Sequence, residues 1–340
     1  MRAAAISSIE YHLPRKILSN EQLADEFPEW SRDKIDAKTG ITERHIAAEG
    51  ECSSDLAVEA ATKLFRSGIC KPEEIDYILF CTQSPDYFLP TTACLLQSRL
   101  GIPSSAGALD YNLGCSGYVA GLGLAKGLIE TGQSARVLLL TGETYSKFIN
   151  RRDKSIRTIF GDAASATLVS AIETTIQPPL GPFVYGTDGS GAENLIVPTG
   201  GMRNPRTAES AEVHADENGS FRSRDNLYMN GAEVFNFTLL TIPRCVTALL
   251  DRAELGMDAV DLFVFHQANH FMLEHLRKKI RIPEQKFFVF MSNCGNTVSS
   301  TIPIALKHAQ EEGRLQSGHR VMVVGFGVGY SWAAGLLRWS

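Results

Sequence analysis

Apolar residues recur along this chain in short blocks that alternate with longer stretches of helical period, the pattern of strands followed by helices. Ile75 to Thr82 is an apolar run of buried-strand length, and a helix is predicted from about Thr91 to Leu100. Gly107 to Asn112 reads as a strand, Ser116 to Thr131 as a helix with small residues over much of its surface, and Val137 to Thr141 as a strand. The same order recurs later in the chain. Asp261-Leu262-Phe263-Val264-Phe265 answers Asp76-Tyr77-Ile78-Leu79-Phe80, and Phe287 to Met291 answers the second strand. Val298 to Glu312 answers the helix after it, and Arg320-Val321-Met322-Val323-Val324 answers Arg136-Val137-Leu138-Leu139-Leu140. Matches in order at nearly constant spacing predict a duplicated α/β unit with two sheets buried between helices. The expected halves are residues 1–175 and 176–340, joined through a loop-rich connection from about Pro178 to Met229.

Composition narrows the class. With 340 residues the chain is long enough for two such units, and 44% hydrophobic with 21% charged residues is ordinary for a soluble globular protein. A net charge of −5, with no basic run longer than Arg277-Lys278-Lys279, argues against nucleic acid as the main partner. Met1-Arg2-Ala3 leads straight into a strand-like stretch, so no signal peptide is expected. Val321 to Leu337 is the longest apolar stretch, but glycines interrupt it and a membrane helix needs ~20 residues. Two buried strands around a glycine turn are expected there, and no membrane span. Seven cysteines without a CxxC pair fit a reduced, cytoplasmic protein with neither a disulfide framework nor a cysteine zinc site. Neither GxxxxGK[ST] nor GxGxxG occurs, since Gly121, Gly123 and Gly127 miss the spacing; no cofactor is expected.

Duplication directs attention to equivalent strand ends. In the first half that place holds Asn112-Leu113-Gly114-Cys115-Ser116-Gly117. Glycines on both sides of Cys115 permit a sharp strand-to-helix turn and close approach of a ligand. A cysteine there is either a small buried hydrophobe or a nucleophile whose thiol the helix dipole would acidify. In the second half the equivalent ends carry His266, in His266-Gln267-Ala268-Asn269, and Asn296, in Gly295-Asn296-Thr297. Singly, such a His is usually satisfied structure and such an Asn a turn residue. Together with Cys115 they are a thiol, an imidazole and a carboxamide, with no carboxylate to complete a Cys-His-Asp relay. His266 and His270 stand at i,i+4, but Gln267 occupies the place where HExxH needs Glu and no third ligand follows; no metal site is expected.

These segments resemble the 3-oxoacyl-[acyl-carrier-protein] synthase III family. The likeness runs along nearly the whole chain and includes Lys38-Thr39-Gly40-Ile41-Thr42-Glu43-Arg44, Phe160-Gly161-Asp162-Ala163, Met229-Asn230-Gly231-Ala232-Glu233-Val234-Phe235 and Phe326-Gly327-Val328-Gly329-Tyr330-Ser331-Trp332. The resemblance implies a thiolase-like fold with duplicated halves in a layered αβαβα arrangement, working as a homodimer. It implies an acyl thioester primer, on coenzyme A or carrier protein, loaded onto Cys115 and condensed with malonyl-carrier protein. His266 and Asn296 would hydrogen-bond the malonyl thioester carbonyl, and the backbone N–H groups of Cys115 and Val328 would form the oxyanion hole.

Departures from the family pattern accompany this likeness. A tryptophan that stacks on adenine is replaced, by alignment, with Lys34, and two nucleotide-gripping arginines with Lys38 and Lys154. Val328 stands for a glycine and Phe271 for an arginine, whereas Lys278 and Lys279 keep the basic pair used for carrier docking. Leu89, before Pro90, falls where a partner residue closes the acyl pocket. The alternatives are a same-fold acyltransferase passing the acyl group from Cys115 to a non-malonyl nucleophile, and a catalytically silent partner subunit.

Overall fold

A computed structural model describes residues 1–175 and 177–339, so the expected boundary at 175/176 touches a residue outside the described ones. Ten strands form two five-stranded sheets. The first sheet contains β1 (Arg2–His12), β2 (Tyr77–Cys81), β3 (Gly107–Tyr111), β4 (Arg136–Glu143) and β5 (Ala163–Glu173). The second contains β6 (Leu180–Thr187), β7 (Leu262–Phe265), β8 (Phe287–Phe288), β9 (Arg320–Gly327) and β10 (Ser331–Arg338). The spatial orders are β1-β5-β4-β2-β3 and β6-β10-β9-β7-β8, one the repeat of the other. In each sheet three strands are parallel and the remaining two add antiparallel. Leu79 faces Leu109 and Leu139 across the first sheet, as Val264 faces Phe288 and Val323 across the second.

Seven of the helices among the described residues position the site and the layers: α1 (Arg32–Thr39), α2 (Ser53–Arg66), α3 (Thr92–Arg99), α4 (Gly117–Glu130), α5 (Gly231–Ala253), α6 (His270–Ile280) and α7 (Thr301–Glu311). α4 touches β2, β4 and β5 on one side and β6, β9 and β10 on the other, so it lies between the sheets, and α7 bridges β1 and β7 beside it. This explains the abundance of Gly and Ala in α4. A helix covered on both faces must let two sheets approach, and its Tyr118, Val119, Leu122, Ala125 and Ile129 are buried. α2 and α3 cover the outer face of the first sheet, and α5 and α6 that of the second. α5 is long and apolar enough to cross a membrane by length and composition alone. Its Val234, Phe237, Ile242, Val246 and Leu249 are buried in the second-sheet core, which accounts for that apolarity.

Two expectations need correction. The connection between the halves holds a full strand, β6, which among the described residues pairs with β10 alone. Pro182 and the neighbouring glycines hide it, and an edge strand is the one place in a sheet that tolerates proline. β8 is also shorter than the Phe287–Met291 expected. The Phe290 N–H is taken at 2.8 Å by the Gln267 side-chain oxygen instead of a ladder partner, and the strand stops.

Candidate active site

The site lies where the parallel strands of both sheets end against the first turns of the central helices. Cys115 sits in the turn between β3 and α4, with the end of β9 directly against it. A Cβ on Gly327 would lie 2.9 Å from the Cys115 sulfur, so only glycine lets β9 pass this close. The backbone N–H groups of Cys115 itself and of Val328 are directed at Sγ. They are the two amides that the resemblance assigns to the oxyanion hole.

The thiol, however, is not acidified. Burial pushes it up to about 12, with a smaller contribution from the charge of Glu143, while the two backbone amides act in the opposite direction. Desolvation therefore outweighs the helix start that the sequence reading relied on.

His266 follows β7 and is held there by its own N–H to the Val324 carbonyl, 2.8 Å. Its ring stands edge-on to Phe326, and its Nδ1 lies 2.8 Å from Thr301 Oγ1 at the start of α7. Only 2% exposed, it is driven by burial down to about 3, so the imidazole is neutral across the physiological range. The rest of the motif is structural: Gln267 staples the end of β7, and Asn269 caps α6 by accepting the Met272 N–H at 2.8 Å.

Asn296 is set by the left-handed turn at Gly295 (φ +74°) and by backbone bonds to Ile159 and Gly161 that pin its loop to the first half. Its Oδ1 accepts the Val298 N–H at 2.9 Å, which turns the amide nitrogen toward the cavity. Val298 has φ +55°, a conformation a β-branched residue adopts at a cost of roughly 1–3 kcal/mol. That strain aims its N–H at Asn296.

Cys115, His266 and Asn296 thus line one cavity of about 460 Å³, with Phe326 and Gly327 at its floor. More exposed lining residues, Trp30, Lys38, Phe235 and Phe271 among them, form its mouth. An aromatic ring that the sequence reading did not single out, Trp30, also lines the cavity just ahead of α1, and Lys34 and Lys38 follow it at spacings of one and two helical turns. Their Nζ atoms lie 5.6 and 4.8 Å from the Trp30 ring centroid. Lys38 lines the cavity, whereas Lys154 is drawn aside by Glu29 at 2.6 Å. Lys278 and Lys279 are exposed on α6 outside the cavity, and Lys278 pairs with Glu274 at 3.0 Å. Leu89 is 83% exposed, away from the cavity of its own chain.

Sequence reasoning missed Glu143. It ends β4 fully buried, accepting from the Gln83 N–H (3.0 Å), Ser84 Oγ (3.2 Å) and Ser299 Oγ (3.2 Å). It thereby ties the loop after β2 to the loop that follows Asn296. Burial raises its carboxyl from 4.5 to about 8. Between those values the folded protein holds a proton that the unfolded chain has released. Stability from this group is therefore complete below pH 4.5 and falls as pH rises toward 8, by ~1.4 kcal/mol per pH unit. Glu143→Gln cannot ionise, so its melting temperature relative to the parent protein should climb between pH 5 and pH 8. An equal difference at both pH values would mean that Glu143 is already charged in the native state.

Two family models match, 3-oxoacyl-[acyl-carrier-protein (ACP)] synthase III over residues 109–189 and the C-terminal region of the same synthase over 250–339. The beta-ketoacyl-[acyl-carrier-protein] synthase III of Caldanaerobacter subterraneus subsp. tengcongensis is 35% identical, over 99% of this chain and 98% of that protein. A crystal structure of a 3-oxoacyl-(acyl-carrier-protein) synthase III superposes with a TM-score of 0.98 at 55% identity, covering 99% of this chain and 100% of that one. A 3-oxoacyl-(acyl-carrier protein) synthase from Burkholderia xenovorans superposes at 0.90 with 37% identity, covering 100% of this chain and 95% of that one. Fold and site define a thiolase-like acyltransferase. The chain belongs to the 3-oxoacyl-[acyl-carrier-protein] synthase III family.

Proposed function

We propose that this protein condenses an acyl primer, held as a thioester on Cys115, with a malonyl-carrier thioester to give a 3-oxoacyl thioester, the opening step of acyl-chain synthesis. The observation that carries the reading is the meeting of Cys115, neutral His266 and Asn296 on one cavity, from opposite halves of the fold.

Cys115 attacks the primer carbonyl, the carrier leaves as a thiol with the Cys115 proton, and the N–H groups of Cys115 and Val328 stabilise the tetrahedral oxyanion between. The malonyl thioester then places its carbonyl oxygen against His266 and Asn296. Two neutral donors suit this step, because a carboxylate base beside the malonyl carboxylate would add repulsion. Carbon dioxide leaves, the enolate carbon attacks the acyl-Cys115 carbonyl, and the Cys115 sulfur departs as a thiolate that takes a proton from water, restoring the enzyme. Malonyl thioester labelled in its free carboxyl, offered with primer, checks the reading. Labelled carbon dioxide should appear in step with 3-oxoacyl product, and acyl transfer without it would point to a non-malonyl acceptor.

For primer delivery, Trp30 is the flat surface at the mouth and Lys38 the cation beside it. Trp30→Ala should raise KM for the primer donor ~5–10-fold, the worth of an aromatic face. The extent of Cys115 acylation at saturating donor should not change, and comparing acyl-coenzyme A with acyl-carrier protein identifies which donor uses this face. Lys278 and Lys279 offer an exposed basic surface for an acidic carrier protein.

A cytoplasmic homodimer completes the proposal. All seven cysteines are free. Tyr87, Phe88 and Leu89 are 62%, 83% and 83% exposed in succession, and the nearby edge strand β3 leaves Leu109 43% exposed. A contiguous apolar patch of this sort is covered in solution by a partner, here a second copy of the chain that brings Leu89 toward the acyl pocket. Leu89→Asp should convert a dimeric elution profile to that of a monomer.

A further inference from the structure

Stabilising an enolate oxygen requires His266 to present a proton on Nε2. A neutral imidazole carries one proton, so Nδ1 must be bare and must be given a donor. Two groups stand at this side of the ring. Thr301 Oγ1 lies 2.8 Å from Nδ1, and the Val298 carbonyl, 3.0 Å from the same hydroxyl, also faces the ring. The Val298 carbonyl can only accept, which favours a proton on Nδ1 and an Nε2 lone pair pointing into the cavity. The left-handed backbone of Val298 fixes this carbonyl in place, because its N–H is committed to Asn296. The hydroxyl has a single proton and can give it either to Val298 or to Nδ1. Among the described residues it is the one side-chain donor within hydrogen-bond reach of Nδ1. His266 and Thr301 are 2% and 3% exposed, so bulk water does not settle the matter.

We infer that Thr301 is a positioning residue for the reaction: by donating its hydroxyl proton to Nδ1 it holds His266 in the Nε2–H tautomer that condensation needs. The inference rests on the condensation reading above. It separates the two half-reactions. Malonyl decarboxylation depends on the Nε2 proton, whereas loading of Cys115 does not, since an Nε2 lone pair would assist departure of the thiol proton.

The test is nitrogen-15 NMR of histidine-labelled resting enzyme, combined with both half-reactions. The parent protein should show His266 protonated on Nε2. In Thr301→Val the Val298 carbonyl alone remains beside the ring, so the signature should move to Nδ1–H. Malonyl-thioester decarboxylation should fall ~10²-fold, the cost of one donor to a developing oxyanion, while Cys115 acylation followed by intact mass stays within about twofold or speeds up. Thr301→Ser should restore both tautomer and rate. A parent protein protonated on Nδ1 overturns the inference without any variant having to fold. So does a Thr301→Val protein that keeps the Nε2–H signature, or one in which both half-reactions fall together. A parent protein that acylates Cys115 but never decarboxylates malonyl thioester overturns the condensation reading instead, and the imidazole spectrum still decides the tautomer.

Discussion

Cys115→Ala should abolish mass addition from an acyl thioester and lower condensation at least ~10⁴-fold, the scale of removing a covalent nucleophile. The carbonyl it would have attacked has no other thiol in reach, because among the described residues Cys115 is the one cysteine lining the cavity. Cys115→Ser should be nearly as inactive. A serine hydroxyl needs a base at its side, and among the described residues the one imidazole lining the cavity is held by burial down to about 3, with Thr301 rather than a carboxylate at its Nδ1. The thiol succeeds where the hydroxyl fails because sulfur is the better nucleophile even when burial has raised it to about 12. In both variants His266 and Asn296 remain in place, so slow decarboxylation of malonyl thioester without primer should persist. Intact-protein mass spectrometry with acyl thioester and carbon dioxide release with malonyl thioester read the two steps separately. Addition of the acyl mass to Cys115→Ala would place the nucleophile elsewhere.

This separation of roles reflects how the fold is made. The nucleophile comes from one copy of a repeated unit and the donors from the other, on strand ends that the repeat makes equivalent. The equivalence was legible before any coordinates, since the apolar blocks at 76–80 and 261–265 and at 136–140 and 320–324 stand in the same order. The glycines around Cys115 were legible too, as a tight turn beside a helix start. What escaped was everything that depends on which groups lose water. Burial reverses the expected acidity of Cys115, and nothing local to residue 143 announces a carboxyl raised to about 8. Trp30 escaped for a different reason. It stands outside every motif that carries the resemblance, and only the fold brings it to the cavity that Cys115 lines. Its i,i+4,i+8 relation to Lys34 and Lys38 was the available signal.

The second large effect is expected at the donors. His266→Ala and Asn296→Ala should each lower malonyl decarboxylation and condensation ~10²–10³-fold, with Cys115 acylation retained. Both act on the same carbonyl oxygen, so the double variant should lose less than the product of the single losses. The pH dependence distinguishes them from a titrating pair. His266 stays neutral down to about pH 3, so the donor-dependent rate should be flat from pH 5 to pH 8 as far as this group is concerned. Asn296→Asp gives the sharper comparison. The Val298 N–H would still bind one side-chain oxygen, as it binds Oδ1 now, and leave the other where the amide nitrogen points into the cavity. Ionised, that oxygen would repel both the malonyl carboxylate and the enolate; protonated, it could still donate. Asn296→Asp should therefore match Asn296→Ala or fall below it at pH 8 and recover as the pH is lowered, while Asn296→Ala stays level. Equal activity of the aspartate variant and the parent protein at pH 8 would remove Asn296 from the reaction, leaving it a turn residue that happens to line the cavity.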